Sequence, residues 1–195
     1  MNTLQTEPRR GDWMQTYSGV AFYPLDPRPE EVRLEDIAHA LSLICRYNGH
    51  ADVFFSVAQH SVIVSHNVPP EWALQGLMHD AAEAYVGDKI KPIKACIPAL
   101  EDMEAKVREA VFDKFNLPLP IHTSVHEADV RCLLAEKKCL RMAAKAPMPW
   151  GVENLGLEPL PIQIVALQPQ VAEMLFIERF QELTQIAAEQ NSLPN

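Results

Sequence analysis

The stretch Leu77-Met78-His79-Asp80-Ala81-Ala82-Glu83-Ala84-Tyr85-Val86-Gly87-Asp88 constrains this chain more than any other. Its apolar and small residues read as a buried helix, yet His79, Asp80 and Glu83 lie inside it. His79 and Glu83 are four apart and share one helix face, with Asp80 about 100° round from His79. Three ionisable groups on a buried helix are costly unless they are paired or bound to a cation. Any fold this chain adopts must therefore bring partners to that face. Gly87 suits the position just past a helix end, and Asp88 falls on the loop that follows.

The rest of the chain reads as further helices punctuated by proline. Its 195 residues suffice for one sizeable core and are too few for two full domains. Residues 1–33 read as an irregular arm, broken by Pro24, Pro27 and Pro29, with Trp13, Tyr17, Phe22 and Tyr23 as anchors and a possible hairpin around Ser18-Gly19. Residues 34–145 read as the helical core. A first helix is expected from about Leu34 to Tyr47, and a second from Val53 to His66 with Asp52 as its N-cap. A third follows over Glu71 to Val86. Asp88 to Lys94 is expected to be a basic loop. A fourth helix should run from Pro98 to about Asn116, and a fifth from Ser124 to about Ala144. Residues 146–195 read as a proline-rich connection and a last helix, about Val171 to Glu189, packed on the core through Phe176, Phe180, Leu183 and Ala187. The expected fold is an all-α helical bundle, a single domain.

Composition narrows the function. A net charge of −9 argues against binding a nucleic-acid polymer, which wants a basic face. Cys45, Cys96, Cys132 and Cys139 make no CxxC pair, no signal sequence precedes the arm, and no apolar run reaches membrane-spanning length. The expectation is a soluble, cytoplasmic protein with reduced thiols and no membrane partner.

Three of the expected helices each carry a ligand-type residue on an inward face: His60, His79 with Asp80, and Asp129. Two imidazoles and two carboxylates suit Mn²⁺, Fe²⁺, Co²⁺, Ni²⁺ or Zn²⁺, with Mg²⁺ also possible. A bundle offers them a rigid frame.

This ordered set, with its flanks, resembles the HD-domain phosphohydrolases. His60 in Val57-Ala58-Gln59-His60-Ser61, the His79-Asp80 pair, and Asp129 in Glu127-Ala128-Asp129 look like that family's H…HD…D ligands. The match is tighter with the small bacterial and phage group that includes YfdR-like proteins and 5′-deoxynucleotidases. There the HD pair continues to a Glu and an Asp, here Glu83 and Asp88, and then to a Pro and a Lys, here Pro92 and Lys94. An Arg and an aromatic precede the first ligand, here Arg46 and Tyr47.

The resemblance implies an HD-domain bundle in which His60, His79, Asp80 and Asp129 hold one divalent metal ion. Glu83 and Asp88 would orient or deprotonate the attacking water or protonate the leaving oxygen. Arg46, Tyr47 and Lys94 would contact a small-molecule nucleotide. The implied activity is hydrolysis of 5′-deoxynucleoside monophosphates, with a deoxynucleoside triphosphate triphosphohydrolase as the alternative. A non-catalytic nucleotide sensor is the reading from another class. Such bundles commonly associate, so a homo-oligomer is expected, with Trp72, Trp150 or the last helix at its interface.

Overall fold

The computed structural model describes residues 8–192, and the side chains as far as residue 186. The fold is mostly helical, as expected. A two-residue hairpin, β1 Met14–Gln15 paired antiparallel with β2 Ala21–Phe22, turns at Ser18-Gly19. Ser18 closes that turn by donating its N–H and hydroxyl to the buried Asp36 carboxylate, and Phe22 plugs the core. Eight α-helices follow among the described residues: α1 Leu34–Leu43, α2 Val57–His66, α3 Ala73–Met78, α4 Glu83–Val86, α5 Lys91–Lys94, α6 Pro98–Lys114, α7 Thr123–Cys139 and α8 Pro169–Ser192.

α2 is the central helix, and α1, α3, α7 and α8 all pack on it. Val57 and Ala58 belong to one apolar cluster with Ile37, Leu41, Leu77, Val111 and Phe176. Val64 belongs to a second, with Phe55, Val125, Cys132, Leu160 and Ile164. A helix packed against by four others needs internal partners for its buried polar side chains. Gln59 accordingly donates to the Val165 carbonyl and accepts from Leu167 N–H, and Ser65 bonds the Ala73 carbonyl. Gly76 lets α3 approach closely, since a Cβ there would stand 3.3 Å from Ser65 Cα.

Five boundaries differ from the sequence expectation. The first helix stops at Leu43, not Tyr47, because Ile44 and Cys45 turn extended and Cys45 bridges antiparallel to Ser56. The second begins at Val57, not Val53. Its N-cap is Ser56, whose hydroxyl accepts from Gln59 N–H at 3.1 Å, while Asp52 pairs with Lys145. Val53 and Phe54 are 47% and 36% exposed on the loop so formed. The third expected helix is interrupted: a 3₁₀ turn Pro70–Trp72 leads into α3, and residues 79–82 form a turn before α4. The basic loop contains α5, and the fifth helix ends at Cys139.

α8 buries Ala172 and Phe176 in the core, with Phe180 and Leu183 packed beside them; Ala187 lies outside the residues whose side chains are described. No described helix is long and apolar enough to cross a membrane.

Candidate metal centre and its cleft

The interruption in the third expected helix is where the His-Asp pair sits. Through it the backbone bonds tighten to i→i+3 spacing, Ala81 N–H to the Met78 carbonyl and Glu83 N–H to the Asp80 carbonyl. Residues three apart eclipse in such a turn, so Asp80 and Glu83 are brought towards one face. Gly87 then reverses the chain at φ 79°, ψ 150°, a region open only to glycine, and delivers Asp88 to the cleft.

His60, His79, Asp80 and Asp129 meet as the sequence predicts. His60 Nε2 lies 3.1 Å from Asp129 Oδ1 and 3.7 Å from Asp80 Oδ2, and His79 Nε2 lies 3.2 Å from Asp80 Oδ2. His60, His79 and Asp129 each offer a donor atom within 4.8 Å of the others. Despite this proximity, neither Nε2 is aligned for a hydrogen bond, and both are buried without a partner. Donors about 2.1 Å from a shared ion, at about 90–109° to each other, stand about 3.0–3.4 Å apart. The cluster is dimensioned for a cation, and its two orphaned nitrogens supply the lone pairs.

The far side of each imidazole fixes its tautomer. His79 Nδ1 donates to the Gly76 carbonyl at 2.8 Å, and His60 Nδ1 donates to Glu136 Oε1 at 2.6 Å. Both rings thus aim Nε2 inward, the arrangement by which outer partners orient metal ligands. Electrostatics point the same way. Burial alone would raise the Asp129 carboxyl, but His60 and His79 bring it down to about 2. Burial of Asp80 is likewise outweighed by His79, His60 and Arg46, which hold it below the usual carboxylate range. Burial and Arg46 disfavour the His60 imidazolium, yet Glu136 and Asp129 outweigh them and raise its pKa. Two ionised carboxylates facing two imidazoles make positive charge favourable at this point.

Glu136 is the residue that sequence reading missed. Fully buried, it accepts four donors on two oxygens: His60 Nδ1 and the Cys132 thiol (3.2 Å) on Oε1, Arg46 Nε (3.1 Å) and the Tyr47 hydroxyl on Oε2. Burial opposes its ionisation, but Arg46 and His60 pull it down to about 2. Its place on α7 carried a signal, because it stands seven residues after Asp129 and four after Cys132, on one face.

Arg46 and Tyr47 occupy the loop between α1 and α2. Tyr47, Asn48 and Gly49 all have positive φ, at 59°, 51° and 78°. Left-handed backbone costs a tyrosine about 1–2 kcal/mol, and such strain concentrates at functional positions. The Cys45–Ser56 bridge clamps the loop's base, with Arg46 N–H donating to the Phe55 carbonyl. Arg46 is buried between Glu136 and Asp80, its Nη1 3.7 Å from Asp80 Oδ2.

A cleft of about 640 Å³ opens over Asp80 and Asp129. That size falls within the roughly 300–1,000 Å³ of small-molecule sites. Arg46, Tyr47, Glu83, Asp88 and Lys94 all line it, so every sequence-predicted site residue reaches either the ligand cluster or the cleft. Glu83 is buried with Oε2 unpartnered. Burial first, and then Asp80 and Asp88, push its pKa well above the ordinary value. Burial also raises Asp88. Lys94 is not a free cation: its ammonium sits 2.7 Å from Glu104 and 3.6 Å from Glu83. Trp150 lines the cleft, and Trp72 stacks on His122 at 4.1 Å.

The remaining histidines are accounted for locally where partners are seen. His39 pairs with Glu173, and His122 caps α7 by accepting from Ser124 N–H.

Comparison with known proteins places the chain beside two bacterial relatives. It is 36% identical over 174 residues to the Escherichia coli protein YfdR, covering 89% of this chain and 97% of that one. A Rhodobacter capsulatus protein is 35% identical over 131 residues, covering 60% of this chain and 67% of that protein. Neither relative's name states an activity. The chain matches no protein-family model.

Proposed function

The chain belongs to the YfdR family, and on that footing we propose that it is an HD-type, metal-dependent phosphohydrolase of deoxynucleotides. The substrate is a 5′-deoxynucleoside monophosphate, and the products are nucleoside and orthophosphate. The observation that carries this reading is the pair of buried, partnerless imidazole nitrogens facing Asp80 and Asp129 at the floor of a cleft.

His60, His79, Asp80 and Asp129 would hold one divalent ion. Such an ion supplies Lewis acidity, lowering the pKa of water and offsetting phosphate charge. The chain's own residues do the rest. Arg46 stands beside Asp80 with Nη1 turned to the cleft floor, where it binds a phosphate oxygen. Water attacks phosphorus as the bond to the 5′ oxygen breaks, and a proton passes to that leaving oxygen. Glu83 and Asp88, both raised in pKa and both lining the cleft, exchange that proton. Tyr47 cannot offer its hydroxyl to the sugar, because Glu136 holds it; only its ring faces the substrate.

A second reading, a deoxynucleoside triphosphate triphosphohydrolase, draws on Lys89 and Lys91, which extend the cationic lining beyond Lys94. A product assay separates the two. The protein loaded with Mn²⁺ or Co²⁺ is incubated with deoxynucleoside monophosphates, ribonucleoside monophosphates and deoxynucleoside triphosphates, and each product is resolved by chromatography. Nucleoside and orthophosphate from the deoxynucleoside monophosphates are expected. Triphosphate released from the triphosphates alone would transfer the assignment to the second reading. Nucleotide binding without turnover under every metal would replace both with a sensor.

A further inference from the structure

Residues 146–168 follow α7, and they carry to the cleft wall an aromatic group that the proposed phosphate chemistry does not use. Trp150, Gly151 and Val152 line the cleft together with Leu133 of α7. Trp150 also caps a 3₁₀ turn, Gly151–Leu155, with its carbonyl accepting from Glu153 N–H at 2.9 Å.

The indole is held in place from the α7 side. Lys137 Nζ lies 4.8 Å from the Trp150 ring centroid, and the same ammonium is paired with Glu153. Lys137 is itself buried, 8% exposed, while its partner Glu153 lies at the surface, so the clamp is anchored on its α7 side. On the other side the Tyr47 ring stands 5.8 Å away, tilted by 42°, too oblique to stack on the indole. Tyr47 in turn is immobilised by Glu136. An aromatic ring with its position fixed by a cation and a strained neighbour, facing an open cleft, is pre-organised to receive a flat partner.

The register along α7 connects this ring to the metal ligands. Asp129, Leu133 and Lys137 follow at i, i+4 and i+8 on one helix face, so Leu133 stands about 6 Å and Lys137 about 12 Å along the axis from Asp129. The cleft therefore runs from the ligand carboxylate, past an apolar leucine, to the clamped indole. An anionic group at one end and a planar apolar group at the other is the shape of a 5′-mononucleotide.

We propose that Trp150, with Leu133 and Val152, is the binding platform for the nucleobase, and that the Lys137–Glu153 pair is its positioning clamp. This rests on the phosphohydrolase reading for the orientation of substrate, and it names where the base lies. Every base offers a π-face, so the platform selects for a base over none and tolerates all four.

The test separates base recognition from phosphate chemistry. The full-length Mn²⁺ protein and its Trp150→Ala, Trp150→Phe and Glu153→Gln variants are assayed with deoxynucleoside monophosphates and with 2-deoxyribose 5-phosphate, which lacks a base. Trp150→Ala should raise KM for the nucleotides about tenfold or more, within the range for stacking one base on an aromatic side chain, with kcat changed less than about twofold. The sugar phosphate should be unaffected, Trp150→Phe should recover most of the loss, and Glu153→Gln should show a smaller KM effect of the same kind. Equal losses for nucleotide and sugar phosphate would overturn the platform.

A binding readout keeps the two proposals distinguishable. Deoxyadenosine, which carries no phosphate, should quench tryptophan emission in the parent and in Trp72→Phe, and the quench should vanish in Trp150→Phe. Quenching that persists in Trp150→Phe refutes the base platform even if phosphate is released. Quenching that vanishes there, with no phosphoester hydrolysed, supports the platform while removing the hydrolase reading.

Discussion

Glu136 and Glu83 are both buried in this site, yet they behave in opposite ways. Glu136 receives four donors on two oxygens, and Arg46 and His60 pull its pKa down to about 2. Glu83 has one oxygen without a partner, its nearest cation is 3.6 Å away, and burial beside Asp80 favours its protonated form. The difference lies in their surroundings and not in their chemistry. Glu136 grows from a long regular helix whose neighbours α2 and the 46–49 loop present donors to it. Glu83 follows the tightened turn at residues 79–82, which stacks it near another carboxylate. Carboxyl groups whose environments drive their protonation apart mark a division of labour. In the proposed mechanism Glu136 orients a ligand and Glu83 moves a proton.

That division can be broken at the metal first. Asp129→Ala removes a ligand carboxylate while leaving Glu136 one turn pair further along the same face. Glu136 cannot replace it, since all four of its acceptor positions are engaged. Metal content, read by elemental analysis after gel filtration, should fall to background, and phosphate release with it. Asp80→Ala should behave alike. Full activity in a metal-free preparation of either variant would end the mechanism.

The next effects separate the two glutamates. Glu136→Ala leaves the Tyr47 hydroxyl without its acceptor, Arg46 with Asp80 alone, and His60 without its orienting partner. Breaking a buried ion pair costs about 3–5 kcal/mol, which at this length lowers Tm by about 2–4 °C per kcal/mol. Metal affinity should drop about 10–100-fold through the loss of the His60 orienter. Glu83→Gln should do the reverse: metal content and Tm hold, since no satisfied pair is lost, while turnover falls about 10²–10⁴-fold. Calorimetry and steady-state kinetics on the same preparations check both. A Glu83→Gln protein that loses metal would make Glu83 a ligand and erase the contrast.

Much of this arrangement was legible in the sequence because it follows helical periodicity. Apolar spacing located the core of most helices, and His60, His79, Asp80 and Asp129 stood out as charges on inward faces. What was not legible depends on tertiary context. The bridge between Cys45 and Ser56 pulls Ile44 and Cys45 out of the first helix, although their local propensity continues it. Ser56 and Asp52 are both good N-caps, and only the clamp at Cys45 decides for Ser56. The turn inside residues 79–82 contains no Gly or Pro, so no breaker residue announces it. Glu136 did lie on the right face of α7, but one glutamate among the charged residues of a half-exposed helix looks like a solvated one. Trp150 had no local signal at all, because a tryptophan in a proline-rich connection says nothing about which wall it joins.

Lys94 gives the smallest and most discriminating prediction. Family resemblance makes it a phosphate contact, whereas its ammonium is engaged by Glu104, which Arg108 also holds at 2.8 Å. Its remaining influence is on Glu83, whose nearest positive charge it supplies. Removing that charge should make Glu83 harder still to ionise and leave phosphate affinity nearly intact. A partly exposed charge contact of this kind is worth up to about 1 kcal/mol, or roughly fivefold. Lys94→Met should therefore lower kcat by at most about fivefold, with KM for deoxynucleoside monophosphates changed less than about twofold and with Glu104 still paired to Arg108. The opposite split, a KM raised tenfold at constant kcat, would make Lys94 a substrate cation. Glu83 would then hold its raised pKa through burial, Asp80 and Asp88 without Lys94 tempering it, and its contrast with Glu136 would rest on those groups alone.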